Sequence, residues 1–315
     1  MNIIITGGAG FIGSHLTEQL LKRGDKILCI DDFNDYYDPE LKKENVSPFL
    51  KNRNYKLVKA DVQNMDAVKK AFDEFKPERV VHLAARVGVR PSINEPELYM
   101  DVNVKGTLNI LELCRDHKVK NLVFASSSSV YGANTKIPFS EEDKTDRQIS
   151  PYGTTKKAGE LLCYTYHSLY KMNITCLRFF TVYGERGRPD MALLKFTSLI
   201  SEGKEIDMYG DGKTKRDYTY VGDLVAGVIA AIDRELGYEI INLGNNDPIE
   251  LTKLITTIEK QVGKKAKIKQ MPMQGGDVPL TYADITKAKR LLGYAPKVKI
   301  EEGIKRLVEW YKRKQ

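Results

Sequence analysis

Short apolar runs alternate with longer amphipathic stretches along the first part of the chain. The apolar runs are rich in β-branched side chains and predict strands at residues 2–5, 26–30, 56–60, 79–83 and 121–125. Apolar residues at helical spacing predict helices between them, among others over 65–75 and 98–116. Strands separated by helices in this way form right-handed parallel units whose carboxyl ends hold ligands. We therefore predict an α/β fold built on a doubly wound parallel sheet.

A glycine-rich turn follows the first predicted strand directly. Gly7, Gly10 and Gly13 occupy every third position, which permits a tight turn, a close approach of the backbone to a diphosphate and close packing of helix on strand. The second strand ends at Asp31-Asp32, and a carboxylate there accepts hydrogen bonds from the adenosine-ribose hydroxyls and repels a 2′-phosphate. The spacing therefore predicts a Rossmann-type sheet that binds NAD, with Asp31 as the ribose ligand. A turn aspartate without a ligand is the alternative.

Other candidate cofactor contacts lie at the neighbouring strand ends and in the glycine turn. The position after the third strand faces the adenine in folds of this type, although Asp61 could instead cap the helix that follows. Small residues after the fourth strand allow a dinucleotide to lie against its end. Beyond the three glycines and Asp31, the predicted cofactor-binding residues are Phe11, Ile12, Asp32, Asp61, Val62, Leu83, Ala84, Ala85, Asn103, Tyr152 and Lys156.

Tyr152 and Lys156 form the candidate catalytic pair. They lie four residues apart at the start of a predicted helix, with Ser150 as its cap and Pro151 as its first residue, so both side chains share one face. A free tyrosine titrates near pH ~10, and a nearby cation lowers its pKa. We therefore expect Tyr152 to act as a general acid/base near neutral pH. An ordinary solvated helix face is the alternative.

A row of serines, residues 126–129, ends the fifth predicted strand and precedes the triplet Val130-Tyr131-Gly132. Serine-rich stretches are usually flexible loops. Here, however, the hydroxyls stand at the carboxyl edge of the sheet, between a buried strand and the Tyr152 helix. We interpret them as functional groups at the nicotinamide end of the predicted cofactor site.

Composition narrows the class of protein. The 315-residue chain is 42% hydrophobic and 29% charged, as in an ordinary globular protein. Its formal net charge of +8 is dispersed, which favours a solvated surface and an anionic small molecule over nucleic acid. No apolar run approaches the ~20 residues of a membrane span, and the separated cysteines indicate free thiols rather than a disulfide framework or zinc ligands. We expect a cytoplasmic protein without an anchor or a metal site.

Taken together, residues 6–13, Asp31, the serine row and the Tyr152/Lys156 pair resemble the extended short-chain dehydrogenase/reductase family, and in particular its nucleotide-sugar epimerases and dehydratases. The resemblance covers nearly the whole chain. It implies that Ser127, three residues before the Val-Tyr-Gly triplet, is the catalytic serine beside Tyr152 and Lys156. In the dehydratases an acidic pair follows that serine. Ser128 and Ser129 stand there in this chain, which argues against dehydration.

The segments 178–184 and 187–193 resemble the pattern of UDP-glucuronate 4-epimerases. A glucuronate carries a carboxylate, which an arginine binds through a bidentate, charge-assisted contact. We expect Arg188, together with Thr181 and the serine hydroxyls, to bind this carboxylate. The alternative is that Arg188 only pairs with Asp190. The substrate-binding residues implied by the resemblance are Arg90, Ser127, Ser128, Ser129, Tyr152, Thr181, Arg188, Arg216 and Asp277.

The predicted activity is inversion of C4 of UDP-glucuronate to give UDP-galacturonate, through a 4-keto sugar and with Tyr152 as the base. The closest alternatives are a UDP-glucose or UDP-N-acetylglucosamine 4-epimerase, and then a UDP-glucuronate decarboxylase. An NAD-binding sensor without turnover is the alternative from another class, and the intact set of Ser127, Tyr152 and Lys156 argues against it.

Later segments predict a return of the chain to the cofactor sheet. A helix over 221–232 and a short strand over 239–242 are expected to rejoin it. We therefore expect residues 1–180, together with 218–243, to form the NAD-binding domain. Residues 181–217 and 244–315 should form a smaller mixed α/β lobe that binds the nucleotide sugar. The resemblance also implies a homodimer, through the helices over 98–116 and 152–170.

Overall fold

A computed structural model describes residues 1–272 and 278–315 of the chain. The described strands are β1 (Asn2–Thr6), β2 (Lys26–Asp31), β3 (Tyr55–Lys59), β4 (Arg79–His82), β5 (Asn121–Ser127), β6 (Ile174–Phe179), β7 (Thr181–Tyr183), β8 (Glu205–Tyr209), β9 (Lys215–Tyr220), β10 (Tyr238–Leu243), β11 (Pro248–Glu250) and β12 (Lys267–Met271).

The described α-helices are α1 (Phe11–Arg23), α2 (Pro39–Val46), α3 (Met65–Phe75), α4 (Val89–Asn94), α5 (Pro96–Met100), α6 (Gly106–Asp116), α7 (Pro151–Tyr170), α8 (Ala192–Ser201), α9 (Val221–Ile232), α10 (Leu251–Val262), α11 (Thr286–Leu292) and α12 (Ile300–Lys314). The helix predicted over 98–116 is interrupted, because the segment Asp101–Lys105 is π-helical. Such segments often occur at functional sites.

The large sheet has the strand order β10-β6-β5-β4-β1-β2-β3, and every neighbouring pair in it is parallel. Successive side chains of a strand face opposite sides, so Ile3 and Ile5 pack into the core beneath α1 and α9, while Ile4 packs into the core beneath α3, α6 and α7. All three isoleucines are completely buried. The predicted doubly wound parallel α/β sheet is therefore confirmed.

A smaller mixed sheet stands beside the carboxyl edge of the large one. In it β9 pairs with β7 in parallel and with β11 antiparallel, while β12 pairs with β8 in a separate parallel ribbon. β10 adds to the large sheet after this excursion, next to β6. The chain thus crosses between the two sheets near residue 180 and again between β9 and β10, which brings the smaller sheet over the strand ends.

Neither a membrane span nor a metal cluster is found in the described part of the chain. Within residues 1–272 and 278–315, no helix combines the length and apolar character needed to cross a bilayer. The same residues contain no group of three or more His, Cys, Asp or Glu side chains placed to hold a metal ion.

Candidate active site

A cavity of about 440 Å³ lies where the carboxyl ends of the large sheet meet the smaller lobe. It runs from the glycine turn to the first turn of α7. Most of the predicted site residues line it: Gly7, Gly10, Phe11, Ile12, Gly13, Asp31, Asp32, Asp61, Val62, Leu83, Ala84, Ala85, Ser127, Ser128, Ser129, Tyr152, Lys156, Thr181 and Arg188. Tertiary folding therefore brings the predicted cofactor, catalytic and sugar positions into one cleft.

The glycine turn is built for close approach of a ligand. Gly7 has a φ of +70°, and a Cβ there would lie 2.7 Å from the Ala84 nitrogen. A Cβ on Gly13 would collide with the Gly7 carbonyl oxygen. Gly10 caps α1 without a side chain, so amides of the first helical turn remain able to donate to an anion. The turn fits a dinucleotide diphosphate.

Asp31 is held at the end of β2 by two backbone amides. Its Oδ2 accepts from the Ala9 nitrogen at 3.0 Å and its Oδ1 from the Phe33 nitrogen at 2.9 Å. Burial raises the pKa of Asp31, against the lowering effect of these bonds and of the Lys42 charge. Each carboxylate oxygen retains a lone pair for a ribose hydroxyl. A buried carboxylate in this position fits NAD and opposes a 2′-phosphate.

Asp61 and Asn103, two further predicted cofactor contacts, differ in their position relative to the cavity. Asp61 lines the cavity and accepts from Gln63, while Asn64 caps α3, so the alternative role of Asp61 as the helix cap is wrong. Among the described residues, the cavity lining does not include Asn103. Its amide instead accepts from the Arg86 nitrogen (2.7 Å) and donates to the Arg86 carbonyl (2.9 Å) and to Thr155 Oγ1 (3.0 Å). Asn103 therefore supports the cavity wall from behind.

The predicted catalytic residues occupy the far end of the cavity from Asp31. Ser150 caps α7 as expected, since its Oγ accepts from the Gly153 nitrogen at 3.1 Å. Tyr152 is half-buried in the first turn of that helix. Lys156 is buried and donates from Nζ to the Ala125 carbonyl at 2.7 Å. Ser127, at the end of β5, accepts from the Ser129 nitrogen at 3.1 Å.

The direction of the Tyr152 pKa differs from the expectation. Burial raises it, while hydrogen bonding with Ser127 and the charge of Arg188 lower it. The prediction that a neighbouring lysine brings this pKa towards neutrality is therefore wrong for this structure, because desolvation dominates. Burial also lowers the pKa of Lys156, to about 8. Both groups are thus poised away from their ordinary values, which is common at functional sites.

Arg188 lines the cavity and already pairs with a carboxylate. Its Nε and Nη2 donate to the two carboxylate oxygens of Asp190, at 3.0 and 2.6 Å. The guanidinium carbon lies 5.4 Å from the centre of the Tyr36 ring. Arg188 therefore makes the ion pair with Asp190 that was the alternative interpretation. It also lines the cavity, as the predicted carboxylate contact requires.

The remaining substrate candidates lie elsewhere. Among the described residues, neither Arg90 nor Arg216 belongs to the cavity lining. The Arg90 guanidinium packs 4.9 Å from the centre of the Tyr209 ring, and Arg216 Nη1 donates to the Lys215 carbonyl at 3.0 Å. Asp277 lies outside the described residues.

A buried ion pair beneath the predicted catalytic residues was not identified from the sequence. Arg178 donates from Nε and Nη2 to the two carboxylate oxygens of Glu160, at 2.8 and 2.9 Å, and each side chain is only 1% exposed. Ser126 donates to Glu160 at 2.6 Å, and the Arg178 guanidinium lies 4.8 Å from the centre of the Tyr131 ring. Glu160 lies one helical turn beyond Lys156, a spacing that could have flagged it.

Sequence spacing also missed a large part of the cavity wall. These residues come from the ends of β2, β3 and β4, from α2, from α4 and the π-helical segment, and from the segments around β6 and β7. Only the last of these regions carried a motif, and that motif did not assign these positions. They include Asn34, Tyr36, Tyr37, Lys42, Ala60, Val87, Gly88, Val89, Val102, Phe179, Phe180, Val182 and Met191.

Known proteins resemble the chain over nearly its whole length. The family model for GDP-mannose 4,6 dehydratase matches residues 4–307. A UDP-glucuronate 4-epimerase of Thermodesulfobacterium geofontis is 47% identical over 310 residues, which are 98% of this chain and 95% of that protein.

Solved structures show the same fold. UDP-glucuronic acid 4-epimerase from Bacillus cereus, in complex with UDP-glucuronic acid and NAD, has a TM-score of 0.95 at 35% identity and covers 100% of both chains. A tyrosine-to-phenylalanine variant of that protein, with UDP-4-deoxy-4-fluoro-glucuronic acid and NAD, has a TM-score of 0.94 at 35% identity, again over 100% of both chains. UDP-glucose 4-epimerase of Thermotoga maritima, with UDP-glucose, has a TM-score of 0.91 at 33% identity and covers 100% of this chain and 99% of that one.

These similarities confirm the family that the motifs indicate. Because a family model spans almost the whole chain and a relative is nearly half identical over its full length, the chain belongs to the nucleotide-sugar epimerase and dehydratase family of the extended short-chain dehydrogenases/reductases.

Proposed function

We propose that the protein is an NAD-dependent UDP-sugar 4-epimerase that interconverts UDP-glucuronate and UDP-galacturonate. One arrangement carries the proposal: Ser127, Tyr152 and Arg188 line the same cavity, whose other end fits a dinucleotide. An acid/base group and an arginine are thus presented to one ligand. The relatives named UDP-glucuronate 4-epimerase, and the Bacillus cereus complex with UDP-glucuronic acid and NAD, support this choice.

Tyr152 acts as the general base in the proposed reaction. Its oxygen removes the proton from the 4-hydroxyl of the sugar, with Ser127 orienting the two oxygens. When bound, NAD supplies the reversible acceptor for the C4 hydride. The cavity would let the 4-keto sugar turn over between the two half-reactions, and Tyr152 would then give the proton back to O4. Hydrogen bonding with Ser127 and the charge of Arg188 favour the ionised phenol that the first step needs, and they act against the larger, opposite effect of burial.

The cofactor set is proposed from the cavity wall. Gly7, Gly10 and Gly13 would receive the diphosphate and Asp31 the adenosine ribose. Lys156, beside Tyr152 and held against Ala125, would hold the nicotinamide ribose. Phe11, Ile12, Asp32, Asp61, Val62, Leu83, Ala84 and Ala85 complete the proposed set.

The uronate carboxylate is proposed to bind Arg188. The guanidinium already makes a bidentate contact with the Asp190 carboxylate, and a sugar carboxylate could replace Asp190 with the same geometry. The hydroxyls of Ser128, Ser129 and Thr181 line the wall nearby. A 4-keto uronate is a β-keto acid that loses carbon dioxide readily, so these contacts would hold the carboxylate out of the alignment that cleaves its bond.

The activity is tested by incubating the protein with NAD and, separately, UDP-glucuronate, UDP-galacturonate, UDP-glucose and UDP-N-acetylglucosamine. Chromatography of the products separates the candidates. We expect the two uronates to interconvert. Conversion of neutral sugars alone would favour the UDP-glucose or UDP-N-acetylglucosamine epimerase, for which the Thermotoga maritima structure is the model. Formation of a pentose product would identify a UDP-glucuronate decarboxylase. Absence of any product would favour the NAD-binding sensor without turnover.

Arg188→Ala is predicted to cost about 2–5 kcal/mol of binding or transition-state stabilisation for UDP-glucuronate, because a desolvated charged hydrogen bond is lost. Neutral UDP-hexoses should lose less, and the residual uronate reaction should release some pentose. Steady-state kinetics and product analysis measure both effects. Arg290→Ala, which removes an exposed arginine on α11, is the control. Equal losses for acidic and neutral sugars without pentose would show that Arg188 only braces Asp190.

We also propose a homodimer through α6 and α7, where large apolar side chains are exposed. Leu161 and Leu169 are 57% and 64% exposed. Leu108 on α6 and Tyr164 and Tyr170 on α7 are exposed as well. Exposed apolar patches of this kind mark interaction surfaces.

Light scattering tests the dimer. We predict that the protein has the mass of two chains and that Leu161→Asp yields monomers, because a charge would be buried in the interface. Leu50→Asp is the matched control, since Leu50 is 56% exposed outside this face. A monomeric wild-type protein at working concentration, or a dimer that tolerates Leu161→Asp, contradicts the proposed surface.

We also propose an assignment of the chain to two domains. Residues 1–180 with 218–243 would bind NAD, and residues 181–217 with 244–315 the nucleotide sugar, a division that the pairing of β10 with β6 supports. Arg90, Arg216 and Asp277 are proposed contacts of the nucleotide sugar on family resemblance alone. Buried free thiols at all four cysteines support a reducing, cytoplasmic location.

A further inference from the structure

The turn over residues 184–187 carries the chain from β7 to Arg188, and its backbone is strained. Gly184 and Arg186 have φ values of +148° and +58°. A residue other than glycine is unfavourable in the left-handed region and persists there only where its surroundings hold it. The contacts of Arg186 therefore decide where Arg188 stands.

Those contacts come from α1, the helix that begins at the glycine turn. Arg186 Nη2 donates to His15 Nδ1 at 2.8 Å and to Glu18 Oε2 at 2.6 Å. His15 Nε2 lies 2.7 Å from the Glu185 carbonyl oxygen, which only accepts, so this nitrogen carries the proton. One imidazole thus holds two consecutive residues of the turn.

The charge state and packing of His15 suit this task. Burial, together with the Arg186 charge, lowers the pKa of His15 to about 4. The ring is therefore neutral at physiological pH, and Nδ1 keeps the lone pair that accepts from Arg186. The imidazole also meets the edge of the Phe11 ring, with centroids 5.8 Å apart, and Phe11 lines the cavity.

We propose that His15 is a positioning residue for recognition of the substrate carboxylate: acting through Arg186, it fixes the turn so that Arg188 faces the cavity. The inference rests on the proposed function, because it takes Arg188 as the uronate contact. Tyr220 secures the same turn from the other side by donating to the Glu185 carboxylate at 2.9 Å. The turn is thereby held between α1 and the smaller lobe.

The test is His15→Phe, which keeps an aromatic ring beside Phe11 and removes both nitrogens. We expect the calorimetric Kd and the KM for UDP-glucuronate to rise about tenfold, the effect of losing one or two buried hydrogen bonds. The Kd values for UDP-glucose and for NAD should change less than about twofold. His117→Phe, at the end of α6, is the control for a histidine outside the site. Arg186→Met, measured in the same assays, tests the same contact if His15→Phe does not fold.

A double variant separates positioning from general damage. If His15 acts through Arg188, then His15→Phe should add nothing to the Kd for UDP-glucuronate in an Arg188→Ala background. Additive losses, or equal losses for UDP-glucuronate and UDP-glucose, would overturn the inference. A wild-type protein that does not turn over UDP-glucuronate would instead refute the proposed function, and this is read before any variant is made.

Discussion

Tyr152→Phe is expected to lower turnover of UDP-glucuronate by ~10²- to 10⁴-fold, because it removes the only atom proposed to exchange a proton with the 4-hydroxyl. The ring, which meets the Tyr99 ring edge-on at 6.2 Å, stays in place. NAD binding and the unfolding midpoint should therefore hardly change. Steady-state kinetics, NAD titration and chemical denaturation measure the three quantities.

Tyr311→Phe is the matched control for this experiment. Tyr311 is a phenol on α12 that lies outside the cavity lining and donates to Ser198, so losing its hydroxyl should leave turnover unchanged. If Tyr152→Phe kept more than about a hundredth of the activity, another group would have to transfer the proton. Ser127 would then be the next candidate, since it lines the same cavity as Tyr152.

Arg178→Met should reduce the free energy of unfolding by about 3–5 kcal/mol, because it leaves the Glu160 carboxylate buried without its cation. Burial by itself would raise the pKa of Glu160, but hydrogen bonds and charge from Arg178 hold it below 4.5. The stabilisation by the Glu160–Arg178 pair should therefore be complete above pH ~4.5, and it should be lost as the pH falls through the lowered pKa of Glu160. Urea denaturation at several pH values measures both effects.

Two companion variants make this stability prediction specific. Lys69→Met breaks the exposed pair with Asp73, whose side chains are 55% and 49% exposed, and should leave the free energy of unfolding almost unchanged. The double variant Glu160→Met with Arg178→Met should recover part of the loss, because no buried charge is left unpaired. A loss below about 1 kcal/mol in Arg178→Met would mean that water reaches Glu160.

Activity should fall with Arg178→Met as well, for a geometric reason. Glu160 lies on the helix that carries Tyr152 and Lys156, and it accepts from Ser126, the neighbour of Ser127. The ion pair thus sets the spacing between the helix and the strand end that together form the proposed catalytic group.

Local spacing in the sequence was enough to predict the parallel α/β sheet, the glycine turn, Asp31 at the end of β2 and the capped helix that presents Tyr152 and Lys156. Each of these depends on side-chain periodicity, on glycine conformation or on a helix cap, which act over a few neighbouring residues. The same local reasoning gave an uninterrupted helix over 98–116, where the backbone follows a π-helical turn at Asn103.

Only the tertiary structure decided which distant polar side chains meet. Arg178 pairs with Glu160 across 18 residues, Arg186 meets His15 across 171, and Tyr36 approaches Asp190 across 154. It also decided the direction of the Tyr152 pKa, because desolvation depends on what covers a side chain and not on its neighbours along the chain. Motif spacing therefore determined the chemistry available to this protein, while long-range packing determined how each charged group is paired, buried and aimed.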